Sequence, residues 1–237
     1  SCGGAPARAD HIKSLSELGF NIIGGYGMTE ASPTVTLQNN GRKKPLSAGY
    51  AFPRAKFKID SPDEDGIGEI LLKGDNITKG YYKDPEATAA SFTEDGWFKT
   101  GDLGKLDSEG YLYLAGRAKN LIVTEGGKNV YPEEIENQFQ LVTEIEQITV
   151  QGYIMDEATK SEGIEALVYP SDELFNKLKL VRGDMESTSV VKESVEDIVA
   201  EVNKKLQPYA RISRVTILDE ALEMTTTKKV KRTYNKK

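Results

Sequence analysis

Three residue types are nearly missing from this chain of 237 residues, which holds one cysteine, one histidine and one tryptophan. The lone cysteine, Cys2, has no internal partner for a disulfide, so a reducing, cytoplasmic compartment is expected. The lone histidine, His11, leaves a Ser-His-Asp or Cys-His catalytic system little to work with. No cluster of Cys and His offers a zinc site, and His11 is read as sitting on a solvated helix face. Long apolar runs are absent as well. None approaches the ~20 residues needed to span a bilayer, and no signal-peptide pattern opens the chain. Positive charge is in deficit, with 31 Lys and Arg against 37 Asp and Glu. The resulting net charge of −6 argues against general nucleic-acid binding. What remains, 38% hydrophobic and 29% charged, fits a well-solvated protein. The length allows one large or two small domains. One stretch runs against the acidic average: residues 228–237, KKVKRTYNKK, contain six cations.

The chain is organised around residues 94–136. Thr100-Gly101-Asp102-Leu103-Gly104 places one carboxylate in a backbone expected to be bent by two glycines. Tyr111 to Leu114 reads as a strand. Gly116-Arg117-Ala118-Lys119-Asn120 then carries two cations separated by one small residue. A second apolar run, Leu121 to Val123, leads to Gly126-Gly127-Lys128. Glycine-rich turns between strands commonly carry function, because they let backbone approach a ligand.

Before this stretch, residues 9–18 read as a short helix, with Ile12, Leu15 and Leu18 at spacing three. Gly19 to Ile23 reads as a buried strand running into Gly24-Gly25-Tyr26-Gly27-Met28-Thr29-Glu30. That segment is either a plain Gly-rich turn or a ligand site. In the second case Tyr26 offers a face for stacking, Thr29 a hydroxyl for a phosphate oxygen, and Glu30 a hard oxygen suited to Mg²⁺. Residues 45–115 look all-β apart from a short helix over Glu86 to Phe92, and their aromatics read as core.

After it, Pro132-Glu133-Glu134 reads as a helix start, with proline at the first position and acids in the first turn. Ile135, Phe139 and Val142 continue its apolar face. Ile145 to Val150 and Ile164 to Tyr169 read as paired strands. Ser194 to Leu206 reads as an amphipathic helix with Val195, Ile198, Val199, Val202 and Leu206 on one face. Ile212 to Leu218 is a last strand, and residues 171–192 have no clear assignment.

TGDLG, GRAKN and GGKNVYPEEIE, in this order and spacing, resemble the adenylate-forming (ANL) superfamily. GGYGMTEASP at 24–33 and MTTTKKVKR at 224–232 flank them and add to the likeness. FTEDGWFKTGDLG is most similar to the signature of long-chain fatty acyl-CoA synthetases. The resemblance implies an α/β (α+β) fold: residues 1–117 as the C-terminal part of a large AMP-binding domain, with a small β-barrel subdomain, and 118–237 as a small mobile α+β domain. It also implies an enzyme that activates a carboxylic acid, medium- or long-chain fatty acids in this reading, with ATP and Mg²⁺ and passes the acyl group to coenzyme A. The family's Ser/Thr/Gly-rich phosphate loop lies upstream of GGAP and does not occur in these residues. The chain is therefore expected to be a C-terminal portion, inactive alone.

Residue by residue, the resemblance makes Gly4, Ala5 and Pro6 one adenine-contacting turn. Tyr26, Gly27, Met28 and Thr29 become the adenine- and phosphate-binding motif, and Glu30 the Mg²⁺ ligand. Asp102 accepts the two ribose hydroxyls, and Arg117 donates to the same nucleotide. Lys119 sits where the family has its inter-domain hinge. Gly126 and Gly127 line the thiol channel with Lys128 beside them. Lys229 is the catalytic lysine, its register set by Val230 and Arg232. Lys228 stands where glycine is usual and is a rival. Taken alone, Asp102 also fits a turn residue bonding its own backbone, and Arg117 a solvated cation. The tail also fits a disordered basic end or a polybasic patch for peripheral contact with anionic lipid. Two other functions stay open: another adenylate-forming ligase, aryl-CoA or carrier-protein loading, and a non-catalytic nucleotide-binding piece.

Overall fold

A computed structural model describes residues 9–39, 41, 43–53, 55–124, 126–156, 161–224, 230 and 232. The chain divides into two compact units, Ser1–Lys119 and Asn120–Lys237.

In the first unit, helix α1 (Ala9–Glu17) precedes strand β1 (Gly25–Gly27), a 3-10 turn at Thr29–Ala31, β2 (Thr34–Leu37) and β3 (Tyr50–Ala51). These three strands form an antiparallel sheet in chain order. The expected strand over 19–23 does not form. The Phe20 N–H closes back on the Leu15 carbonyl at the end of α1, and Phe20 is 59% exposed, so this run terminates a helix. Pairing begins only at Gly24, whose carbonyl accepts from the Gln38 N–H.

Strands β4 (Ala55–Asp60), β5 (Gly68–Gly74), β6 (Phe98–Leu106) and β7 (Leu112–Arg117) form a second antiparallel sheet in chain order. Helix α2 (Pro85–Ala90) lies between β5 and β6, with Pro85 in its first turn and the Asp84 carboxylate accepting from the Ala87 N–H. β5 is an interior strand, and Ile70, Leu71 and Leu72 are buried in succession. The expected barrel is not closed among the described residues. β4 and β7 are outer strands that do not pair with each other. A single bridge, Gly49 to Leu112, ties β7 to the strand region before β3. Tyr26, Val35, Ile70, Leu72, Phe98 and Leu112 share one core across the two sheets. Each such side chain contributes about 1.5–3 kcal/mol by leaving water.

The second unit opens with a two-stranded hairpin, β8 (Ile122–Val123) and β9 (Asn129–Val130). Helix α3 (Pro132–Glu136) follows and runs into a 3-10 turn at Asn137–Phe139. Long strands β10 (Ile145–Asp156) and β11 (Ser161–Pro170) pair antiparallel. Helices α4 (Asp172–Leu178) and α5 (Met185–Asn203) then cross over to β12 (Arg214–Ile217), which pairs parallel to β11. A parallel partner needs such a crossover, which is what the unassigned segment 171–192 supplies. Its helix signal is local: the Ser171 side chain accepts from the Leu174 N–H, and Lys179 ends the turn in a left-handed conformation. Val191, Val195, Val199 and Val202 form the buried stripe of α5, against Val150, Ile164, Ala166 and Val168 of the sheet. Among the described residues no helix is long and apolar enough to cross a membrane.

Candidate functional site

The first unit brings three of the candidate residues together from distant stretches. Asp102 and Arg117 are directly opposite in the β6–β7 ladder. The Arg117 Nε meets Asp102 Oδ1 at 2.7 Å, and the Tyr26 hydroxyl donates to Asp102 Oδ2 at 2.7 Å. The Asp102 side chain is 13% exposed and that of Arg117 47%, so the carboxylate is recessed behind a cation that reaches solvent. Burial first, then the Asp102 charge, pushes the Tyr26 phenol far above its ordinary value. It therefore remains a hydrogen-bond donor at any working pH.

Asp102 does not lie in a turn, as expected from its two glycines. It sits inside β6, where register shifts fall on both sides, between Glu69 and Leu71 in one ladder and Leu103 and Gly104 in the other. Bulges of this kind re-aim a side chain without ending the strand. Two residues to which the sequence assigned no site role hold that geometry. Thr100 Oγ1 accepts from the Asp102 N–H at 3.0 Å and donates to the Ile70 carbonyl at 2.7 Å. A Glu69 carboxylate oxygen accepts from the Gly101 N–H at 2.9 Å. The T of TGD was the available signal, since a β-strand hydroxyl next to a bulge can replace a lost ladder bond.

The 24–30 motif is positioned by β1. Tyr26 is 8% exposed, so in this structure its hydroxyl, not an open ring face, serves the site. Gly27 has a backbone reason for its identity: a Cβ there would lie 1.9 Å from the Pro33 carbonyl oxygen. Met28 is half-buried and Thr29 exposed at the start of the 3-10 turn. Glu30 follows, and its Oε1 accepts from the Tyr81 hydroxyl at 3.0 Å. Burial and then this bond push the Tyr81 phenol above its ordinary value. No group of three or more His, Cys, Asp and Glu converges among the described residues. A single carboxylate with one oxygen engaged suits Mg²⁺, which keeps several waters and is held by one or two carboxylates plus substrate phosphates. Two open depressions of this unit, one lined by Tyr50, Phe57, Trp97 and Leu106 and one by residues 79–89, involve none of the candidate residues.

Lys119 is exposed in the 3-10 turn Ala118–Asn120. In the second unit, Gly126, Gly127 and Lys128 are exposed in the loop of the β8–β9 hairpin. The Gly127 N–H donates to the Thr124 carbonyl at 2.8 Å, and Gly127 holds φ +69. Glycine is therefore demanded there by the turn itself, whereas a Cβ on Gly126 would meet nothing within 4 Å. Gly4, Ala5, Pro6, Lys228 and Lys229 lie outside the described residues.

Arg232 is described, and it is held from three sides. Its Nη2 donates to Glu136 Oε1 at 2.5 Å, its Nη1 to the Val150 carbonyl at 2.7 Å, and Glu133 Oε1 lies 3.7 Å away. Glu136 Oε1 also accepts from the Val150 N–H at 2.7 Å and Thr149 Oγ1 at 3.3 Å. Burial pushes the Glu136 carboxyl up to about 7, against the lowering by Arg232 and the Val150 N–H. Glu133 Oε1 accepts a short bond from Asn120 Nδ2. The sequence showed Glu133 only as an acid of a helix start and gave Glu136 no role. Their spacing of three, which places both on one face, was the signal for a shared partner.

A family model described as AMP-binding enzyme matches residues 1–82. A feruloyl-CoA synthase of an Amycolatopsis species is 35% identical over 178 residues, covering 72% of this chain and 35% of that protein. A long-chain-fatty-acid–CoA ligase of Mycobacterium tuberculosis is 38% identical over 156 residues, 63% of this chain and 31% of that protein. Among solved structures, an o-succinylbenzoate CoA synthetase of Bacillus subtilis, in complex with an acyl-adenylate intermediate, aligns with a TM-score of 0.77. Its identity is 29%, over 96% of this chain and 43% of that one. The chain spans about a third of the length of the curated relatives it matches.

Proposed function

The chain belongs to the AMP-binding, adenylate-forming enzymes, and from that premise we propose that it serves an AMP-forming acyl-CoA ligase. In the first half-reaction a substrate carboxylate oxygen bonds to the α-phosphorus of ATP and the bond to pyrophosphate breaks. In the second, the sulfur of coenzyme A bonds to the acyl carbon and AMP leaves. The observation that carries this reading is the Tyr26–Asp102–Arg117 constellation, which the fold assembles from three separate motifs.

Asp102 would accept the ribose hydroxyls. A carboxylate has about four lone-pair sites, and two are used here by Tyr26 and Arg117. The remaining two fit a vicinal diol, and acceptance by a charged group makes these strong bonds. Arg117, half-exposed, would donate to the same nucleotide. The backbone of 27–29 and the Thr29 hydroxyl would face the phosphates, with Gly4, Ala5 and Pro6 at the adenine. Glu30 would hold Mg²⁺, whose charge offsets that of the phosphates. Lys229 would touch both the carboxylate and the α-phosphate, lowering the barrier by positioning and charge stabilisation. Lys119 would be the hinge about which the second unit turns between half-reactions. Gly126, Gly127 and Lys128 would then border the path of the thiol.

The acid in this reading is a medium- or long-chain fatty acid. The FTEDGWFKTGDLG signature and the mycobacterial fatty-acid ligase support it. An aryl acid is the second reading, supported by the feruloyl-CoA synthase, which aligns over more of the chain. The 237 residues alone are proposed to be inactive, because no phosphate loop occurs in them. The test is ATP–pyrophosphate exchange by the full polypeptide that carries these residues, across fatty and aryl acids, with and without coenzyme A. Exchange driven by fatty acids, with thioester only when coenzyme A is added, is the expected result. Exchange with aryl acids alone selects the second reading, and no exchange by the folded protein refutes both.

A further inference from the structure

We propose that Asn120, Glu133, Glu136 and Arg232 form a tether that holds the segment preceding Arg232 in register for acid activation. The proposal rests on the reading of Lys229 given above. Arg232 is 17% exposed and gives one guanidinium nitrogen to the Glu136 carboxylate and the other to the Val150 carbonyl. Two rigid elements, α3 and β10, thus grip one side chain by a fork of fixed geometry. Two residues lie between it and Lys229. The same segment is pinned upstream. Val230 bridges to Met224, and the Leu222 N–H donates to Gln147 Oε1 at 2.6 Å. Leu222 and Arg232, which stand on either side of the two lysines in sequence, are therefore both bonded to other elements of the second unit.

The network also reaches the opposite end of the unit. Glu133, beside Arg232, takes the Asn120 amide, and Asn120 directly follows the Lys119 turn where the two units divide. Glu133 Oε2 and Asn120 Oδ1 are buried without a hydrogen-bond partner among the described residues. A stabilising core would not be built this way. A buried ion pair contributes little net stability against apolar replacements, and its best-attested use is to fix register. Unpartnered buried acceptors cost stability outright. The arrangement is explained if geometry at the lysine segment is what it provides.

Arg232 and Glu136 act here as positioning residues, and the experiment separates position from folding. In the full polypeptide, Arg232→Met, Arg232→Lys, Glu136→Gln and Lys229→Ala are compared with the parent. Three readouts are used: ATP–pyrophosphate exchange, thioester formation from supplied acyl-adenylate and coenzyme A, and the rate of trypsin cleavage after Lys228 and Lys229. A reacting group misplaced by about 1 Å costs on the order of a hundredfold. Arg232→Met is expected to lower exchange kcat by about that factor with little change in KM, to spare the thioester step, and to speed cleavage at the lysines. Arg232→Lys should recover part of the loss, and Glu136→Gln should share its direction if Arg232→Met fails to fold. Equal loss of both half-reactions in proportion to unfolded protein overturns the proposal, as does unchanged exchange and cleavage in folded Arg232→Met and Glu136→Gln. Loss of exchange in Lys229→Ala but not in the tether variants overturns the tether alone. Full exchange in Lys229→Ala overturns the lysine reading and the tether with it.

Discussion

Glu136 gives the sharpest test of the second unit, because its titration carries a sign. Its carboxyl is raised from 4.5 to about 7, chiefly by burial. Between those values the folded protein keeps a proton that the unfolded chain has released. The unfolded state then binds fewer protons, so stability falls as pH rises, and the loss is complete once both states are ionised above about 7. An interval of about 2.5 pH units corresponds to about 3 kcal/mol. That figure is an upper bound for a side chain still 20% exposed. The charged groups facing it are Arg232, which favours the carboxylate, and Glu133, which disfavours it. The perturbation is Glu136→Gln, which has no such titration. The assay is amide hydrogen exchange in β10 and β11 from pH 4.5 to 8, since the single tryptophan, Trp97, lies in the other unit. Relative to Glu136→Gln, the parent should lose up to about 3 kcal/mol across this range. Shared contributions, such as the Glu144–Lys177 pair that depresses the Glu144 carboxyl, cancel in the difference. A difference that stays flat or grows with pH would refute the reasoning. It would mean that the Arg232 contact holds the carboxylate ionised despite burial.

Three other substitutions have outcomes set by the geometry. Gly127→Ala should destabilise the second unit by about 1–2 kcal/mol, because φ +69 costs a Cβ-bearing residue that much. Gly126→Ala should stay within about 0.5 kcal/mol yet slow thioester formation if this loop borders the thiol path, and equal denaturation midpoints for the two variants would contradict the turn geometry. Tyr26→Phe removes one of the two protein bonds to Asp102 and should cost about 1.5–3 kcal/mol, typical of a bond to a charged group. Trp97 fluorescence in urea measures it, and an unshifted midpoint would show that the bond is not held in solution.

Periodicity made α1, the second half of α5 and most strands legible, whereas α4 lay in the segment left unassigned. The valine stripe of α5 is readable because its spacing matches the helix repeat, and the β character of residues 45–115 because short apolar runs such as Ile70 to Leu72 mark strands. The strand expected at 19–23 failed because an apolar run does not say whether its backbone has a partner, and Phe20 N–H finds one in α1. TGDLG looked like a turn because two glycines outweighed the apolar flanks. The ladder partners that keep it a strand, Glu69 and Arg117, lie 33 and 15 residues from Asp102. Site chemistry was legible as residue identity, not as wiring. Tyr26 and Asp102 were both singled out, yet nothing local says that a hydroxyl 76 positions away caps the carboxylate. The Glu136–Arg232 pair, separated by 96 positions, was hidden for the same reason.

That separation also bears on how the protein is made. Residues leave the ribosome in order, so α3 and β10 emerge long before the guanidinium that joins them. Until residue 232 is synthesised, the second unit must either bury Glu136 protonated or leave its interior open around it. A nascent chain halted between β12 and Arg232 would hold every strand of the sheet and still lack the cation. Closing that interior then leaves Glu136 with only the Val150 N–H and the Thr149 hydroxyl as partners, at the cost of a buried group short of one bond.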